Sequence, residues 1–315
     1  MKKVVWLLRE YDVNFTGQGA HSAEITFWYG VLEQLGYEVI YYPYETYEPD
    51  KFYNDMKEYN PDFIFHTCYE KFHSEFIKLR DFTKIYMVQA DDDWRFENYA
   101  KHYIPFVDGT ISYQAERQWY LDAGAKEHEI VSAKWAFNPN TMLIEDTLNK
   151  DITISHGGGL YGDRPALIQE FVNKGMDVSI ATKVMYGQLL ELWNRSKYSL
   201  CFTKSSQGNF RQKKGRLAEI GYYSVIVSEP FPKIEEYFEP GKEFILFETV
   251  DEAIEKIKKF ETHPDEYLKM LKASRDRVWN TNTCYHQWDM IMDIIDEDYK
   301  KQDISKILKL HKNDN

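Results

Sequence analysis

The amino-acid sequence predicts an α/β protein built of two doubly wound, Rossmann-like domains. Three observations carry that expectation. Short apolar runs alternate with segments of helical spacing, which is the rhythm of parallel strands joined by crossover helices. The order strand, glycine-bearing turn, helix begins twice, at Lys3 and again at Asp151. The 315 residues are enough for two domains of about 150 residues, each burying its own core.

From the amino end, residues 3–8 read as a buried strand. The glycine-bearing segment 15–22 follows, then an amphipathic helix to Leu35 that Gly36 closes. Further strands fall at 37–42, 61–65, 84–88 and 109–112, with helices at 52–59 and 72–80. The second series opens with a strand at 151–155 that runs into His156-Gly157-Gly158-Gly159. Strands at 176–181, 198–202, 224–228 and 243–247 continue it, with helices at 165–174, 187–195 and 215–221. A polar segment at 138–150, containing Pro139, marks the boundary, so the domains are expected at 1–148 and 149–283. Helical spacing returns at 250–260 and 265–278. Trp288, Ile291, Met292, Ile295 and Tyr299 then form one apolar stripe, which predicts a helix over 284–300 that lies against another element. The mostly charged tail 301–315 is expected to fray.

Charge and composition narrow the function classes. A net charge of −12 disfavours steering a polyanion onto the whole surface, so a nucleic-acid partner would need a local basic strip such as Lys71, Lys78, Arg80 and Lys84. The 24 Tyr, 19 Phe and 8 Trp fit either stacking surfaces or half-buried packing positions. Cys68, Cys201 and Cys284 are odd in number and widely spaced, which fits a reducing compartment better than a disulfide framework. The apolar run after Lys3 is broken at once by Arg9, Glu10 and Asp12, too early for a secretion signal, and no stretch reaches about 18 apolar residues. No membrane span and a cytoplasmic location are therefore expected. His21, His66, His102 and His156 lack metal-ligand spacing, so no metal site is expected.

Three constellations bear chemistry. Gly17 and Gly19 stand between the first strand and the first helix, where backbone amides can receive a phosphate, although glycines also make ordinary turns there. The third glycine of a dinucleotide fingerprint is missing and His21 follows instead. In the second half, Lys213, Lys214, Arg216 and Glu219 open a helix ahead of a buried strand. A pyrophosphate needs such cations, and a ribose diol needs a carboxylate that accepts its hydroxyls. Arg216 and Glu219, three apart, share a helix face; the competing reading is a solvated intrahelical salt bridge. Finally, Asp91, Asp92 and Asp93 follow the fourth strand, where a carboxylate can serve as general base or merely cap a helix.

Four segments, taken in order, resemble the GT-B glycosyltransferases, in particular the branch with the spore-maturation CgeB-like proteins and other family-one-type domains. They are residues 151–164, 196–200, 216–221 and 238–243, followed by Phe247 and a helix opening at Asp251. The resemblance implies two Rossmann-like domains facing across a cleft and a last helix crossing back to the first domain. It implies an amino-terminal acceptor domain and a carboxyl-terminal donor domain binding a nucleotide sugar, a UDP-sugar first. By similarity, Glu219 would bind the ribose, Arg216 with Lys213 or Lys214 the diphosphate, Gly157 to Gly159 the sugar-nucleotide backbone, and Lys183 the base. Gly17 and Gly19 are counted with the donor-binding residues, and Asp91, Asp92 and His21 are the catalytic candidates. The positive side chains would stabilise the departing nucleoside diphosphate without a metal or other cofactor.

One departure bears on stereochemistry. Many retaining members carry a second glutamate eight positions before the ribose-binding one, and Arg211 stands there. Retention is favoured, and inversion with Asp91 or Asp92 as base stays open. A non-catalytic nucleotide- or glycan-binding protein of the same fold is the alternative. The acceptor classes are a glycan, a protein, a metabolite or a modified DNA base.

Overall fold

A computed structural model describes residues 1–8, 28–43, 47–67, 75–89, 95–114, 116–142, 150–205 and 210–313 of the chain. The chain divides into two compact units, Met1–Lys134 with Gln287–Ile307, and Trp135–His286 with Leu308–Asn315.

Unit 1 carries a six-stranded parallel sheet of β1 (Lys3–Leu8), β2 (Glu38–Pro43), β3 (Phe63–His66), β4 (Lys84–Gln89), β5 (Gly109–Ser112) and β6 (Ile130–Ser132), in the order β2-β1-β3-β4-β5-β6. Its helices include α1 (Val31–Gln34), α2 (Pro49–Tyr59), α3 (Glu75–Leu79) and α4 (Arg117–Asp122). Strand β1 is buried from Val4 onward because it pairs on both edges, Val4 facing Val39 and Phe63, which is why it reads as an unbroken apolar run. Helix α2 starts on Pro49, whose missing N–H costs nothing there, and ends on left-handed Asn60. Its Phe52 and Met56 pack with Val5, Ile64 and Ile85.

Unit 2 carries a five-stranded parallel sheet of β7 (Ile152–Gly157), β8 (Val178–Ala181), β9 (Ser196–Cys201), β10 (Val225–Ser228) and β11 (Ile245–Leu246), in the order β8-β7-β9-β10-β11. Helices α5 (Arg164–Asn173), α6 (Tyr186–Arg195), α7 (Leu217–Tyr223), α8 (Val250–Thr262) and α9 (Pro264–Thr281) accompany it. Ile154, Leu200, Val225 and Val227 of the sheet meet Ile168, Phe171, Ile257 and Met270 of the helices. Three buried serine hydroxyls satisfy one another in a chain: Ser155 and Ser199 hydroxyls lie 2.9 Å apart, Ser199 and Ser224 another 2.9 Å, and Ser224 donates to the Lys197 carbonyl. Helix α7 can lie close to α9 because residue 221 is glycine; a Cβ there would stand 2.9 Å from both the Phe238 ring and the Ser274 hydroxyl. Neighbouring β7 and β9 are the first and third strands of this sheet, so the chain's winding reverses between them. Open α/β sheets place their ligands at the carboxyl ends of the strands that flank such a reversal.

The carboxyl-terminal segment departs from expectation in two places. Helix α10 (Cys284–Ile295) buries Trp288, Ile291, Met292 and Ile295, but stops short of 300. Asp296 ends it, because its carboxylate accepts the Asp298 amide at 3.1 Å and the Tyr37 hydroxyl at 2.8 Å and pairs with Lys2. Residues Gln287–Ile307 belong to unit 1, where Trp288 meets Trp6 edge-on at 5.2 Å and Phe65 at 5.1 Å. The tail does not simply fray: α11 (Ile304–Asn313) buries Ile304 and Leu308, one turn apart, and His311 Nε2 lies 2.9 Å from the Tyr285 hydroxyl. The division between units also falls ahead of the polar segment. Phe137 stacks on Tyr222 at 4.4 Å, and its carbonyl accepts from the Cys284 amide, so 135–142 already belong with unit 2.

Candidate functional site

The site is built at the carboxyl end of β7 in unit 2, where the winding of the sheet reverses. Strand β7 ends at Gly157, and the next residue takes φ +121°, open to glycine and strained for other residues. The Gly158 amide donates to the Ala181 carbonyl at the end of β8. Into the space a side chain would fill at 158 comes Arg216; a Cβ there would lie 2.1 Å from its Nη1. That nitrogen donates to the Gly157 carbonyl. Arg216 thus reaches from the start of α7 to the glycine loop, and the Arg–Glu salt bridge of the competing reading is not formed.

Glu219 sits in the first turn of α7 and is fully buried, 0% exposed. Its Oε1 accepts from the Tyr186 hydroxyl of α6 at 3.1 Å, and its Oε2 has no partner. Burial pushes this carboxyl up to about 8, against the smaller opposing effects of its hydrogen bonds and of Arg216. Without a ligand it holds a proton near neutral pH. The same burial, with Arg216 and Arg164 nearby, holds His156 down to about 3, so the ring at the end of β7 is neutral.

Several cations surround the loop. Arg164, the first residue of α5, is 1% exposed. Its Nη1 donates to the Gly159 carbonyl at 2.8 Å, and its Nη2 to the carbonyls of Phe202 at 3.2 Å and Lys204 at 3.3 Å. Lys214 is buried and donates to Gln212 Oε1; Lys213 is half-buried beside it. Lys183 lies just past β8, exposed and in the left-handed conformation. Arg211, where many retaining relatives of the class carry glutamate, pairs with Glu229 at 3.0 Å; Glu229 also accepts the Thr203 amide at 2.9 Å.

The structure therefore brings Gly157, Gly158, Gly159, Arg216 and Glu219 together at the carboxyl end of the sheet. Gly17, Gly19, His21, Asp91 and Asp92 lie outside the described residues. In unit 1, Arg80 is turned to Asp108 at 2.9 Å, which removes one cation from the strip of Lys71, Lys78, Arg80 and Lys84; Lys71 lies outside the described residues. Among the described residues there is no group of three metal-ligating side chains, and no helix is long and apolar enough to cross a membrane.

Arg164 and Tyr186 were not singled out from the sequence. A signal for Arg164 existed, since a cation in the first turn opposes the helix dipole and so marks a residue placed for another reason.

Two parallel doubly wound sheets, the second with its winding reversed between β7 and β9, define the GT-B class, and the chain has that fold. Residues 145–293 match the family described as glycosyl transferase-like, a span that holds all four segments of the sequence resemblance. Sucrose-phosphate synthase from Thermosynechococcus elongatus is similar in structure, with TM-score 0.60 and 10% identity over 94% of this chain and 99% of that one. HepE of Anabaena, in complex with UDP and glucose, gives TM-score 0.62 and 10% identity over 94% of this chain and 100% of that one. An alpha-glucosyltransferase in complex with UDP-glucose and DNA containing an abasic site gives 0.60 and 12% over 94% and 99%. No curated protein sequence matches the chain.

Proposed function

We propose that the chain moves a hexosyl or pentosyl group from a nucleotide sugar, a UDP-sugar first, to an acceptor hydroxyl. One observation carries the reading: a fully buried carboxylate with an unpartnered oxygen, Glu219, shares a short helix with the guanidinium that grips the glycine loop. Ribose hydroxyls are the natural donors to Glu219, and their bonds would replace the proton it holds. Arg216, with Lys213 or Lys214, compensates the charge of the diphosphate as it leaves, and Gly157 to Gly159 allow its close approach. Lys183, exposed just past β8, is the candidate contact to the base. This cationic compensation supports departure of the nucleotide without a metal or other cofactor.

Unit 2 is the donor domain in this reading and unit 1 the acceptor domain. Asp91 or Asp92 is the candidate base for inversion and His21 a further catalytic candidate; retention is the favoured outcome. HepE and the alpha-glucosyltransferase, which hold UDP or UDP-glucose, favour a uridine donor here. The DNA bound to the alpha-glucosyltransferase keeps a modified base among the acceptors, beside glycans, proteins and metabolites. The net charge of −12 weighs against DNA. Two buried free thiols fit a reducing, cytoplasmic setting.

Incubation of the full chain with a panel of nucleotide sugars tests the proposal. Nucleotide release above buffer, lost in Glu219→Ala, is the expected result. Binding without any turnover would leave a non-catalytic nucleotide-binding protein, and no binding of UDP, GDP, ADP, CDP or TDP would end the proposal.

A further inference from the structure

We propose that Arg164 is a positioning residue that fixes the peptide planes of the loops after β7 and β9, so that the Leu160 amide, next to that of Gly159, faces the diphosphate of a bound nucleotide. This rests on the donor-binding reading of unit 2. Arg164 is buried and spends both arms of its fork on protein oxygens, and it spans the place where the sheet's winding reverses. One arm of its fork holds the Gly159 carbonyl after β7; the other holds the Phe202 and Lys204 carbonyls after β9 and the Tyr161 hydroxyl. The Tyr161 ring lies under the guanidinium at 3.6 Å.

Two features distinguish this from a packing staple. Every oxygen that Arg164 donates to is neutral, its Nε has no partner, and Arg216 adds a second positive charge nearby. A buried charge so placed is costly unless an anion arrives to balance it. The second feature is stereochemical. In a trans peptide the N–H points opposite to the C=O, so drawing the Gly159 carbonyl toward Arg164 turns the Leu160 amide away from it. Among the described residues no acceptor stands opposite the amides of Gly159 or Leu160. Two free amides beside two guanidiniums form a receptor for phosphate oxygens.

The experiment is calorimetric titration of the full chain with UDP and, separately, with uridine, which lacks the diphosphate. In Arg164→Lys, UDP binding is expected to weaken about tenfold, the order of one charge-assisted hydrogen bond, while uridine binding stays within about twofold. Tyr161→Phe, which keeps the ring and removes one acceptor, is expected to weaken UDP binding by a smaller factor with uridine again unchanged. It decides the matter if Arg164→Lys does not fold. Equal losses for both ligands, or unchanged UDP affinity, would overturn the proposal and leave the donor site intact. A wild-type chain that binds none of UDP, GDP, ADP, CDP and TDP would sink the donor site as well; if another of the five binds, it and its nucleoside take the place of UDP and uridine.

Discussion

Replacing Glu219 with glutamine should make the protein more stable and less able to bind its donor. The carboxyl is fully buried, and its pKa stands at about 8, against an ordinary 4.5. Below pH 4.5 the folded and unfolded chains both hold the proton, and the residue is neutral to folding. As pH rises from 4.5 toward 8, the unfolded chain ionises while the folded chain does not. Stability then falls by about 1.4 kcal/mol per pH unit and levels off above 8. At pH 7 the cost reaches about 3 kcal/mol, which Gln does not incur. The Tyr186 hydroxyl keeps its acceptor in the variant, and the amide nitrogen takes the place of the protonated oxygen. Urea unfolding of both proteins between pH 4.5 and 8 measures the difference. The account expects near-equal stability at pH 4.5 and a lead of about 3 kcal/mol for Glu219→Gln at pH 7. A constant difference across that range, or a variant less stable at pH 8, would refute the assignment of a buried, protonated carboxyl. In the wild type, UDP affinity should rise with pH up to about 8, by at most about tenfold per unit, and in the variant it should be flat.

Other consequences follow from packing. Gly158→Ala places a Cβ on the Arg216 guanidinium at a left-handed φ, so UDP affinity should fall about tenfold or more, read by calorimetry. Trp288→Ala empties the space between Trp6 and Phe65 and should cost about 3–5 kcal/mol in urea unfolding. Truncation after Asp303 removes the buried Ile304 and Leu308 and the His311 contact to Tyr285. It should cost about 3 kcal/mol, seen as a lowered melting temperature; an unchanged melting temperature would mean that α11 is not docked.

Much of this was legible in the sequence because parallel strands buried on both faces read as apolar runs. Strands β1, β4, β5, β7, β9 and β10 fall within two residues of where those runs stand. The stripe from Trp288 to Ile295 announced a packed helix for the same reason. Strand β6 was missed, since Ile130, Val131 and Ser132 are too few to show a period. The end of α10 and the docking of α11 depend on partners distant in the chain, Tyr37 and Lys2 in one case and Tyr285 in the other, which local pattern does not contain. Arg216 and Glu219 could be singled out because their chemistry is unusual for a helix start. What the sequence could not supply was their division of labour: it put them on one face, whereas Arg216 turns to Gly157 and Glu219 to Tyr186.

Calorimetric titration of the wild type and of Arg216→Met with UDP, GDP, ADP, CDP and TDP bears most directly on the grip that unit 2 is argued to have on an activated sugar carrier. One of these nucleotides should bind the wild type, and the substitution should weaken it by about tenfold or more, the order of a lost charge-assisted contact to phosphate. Equal affinity in both proteins, or no binding of any of the five, would contradict the account.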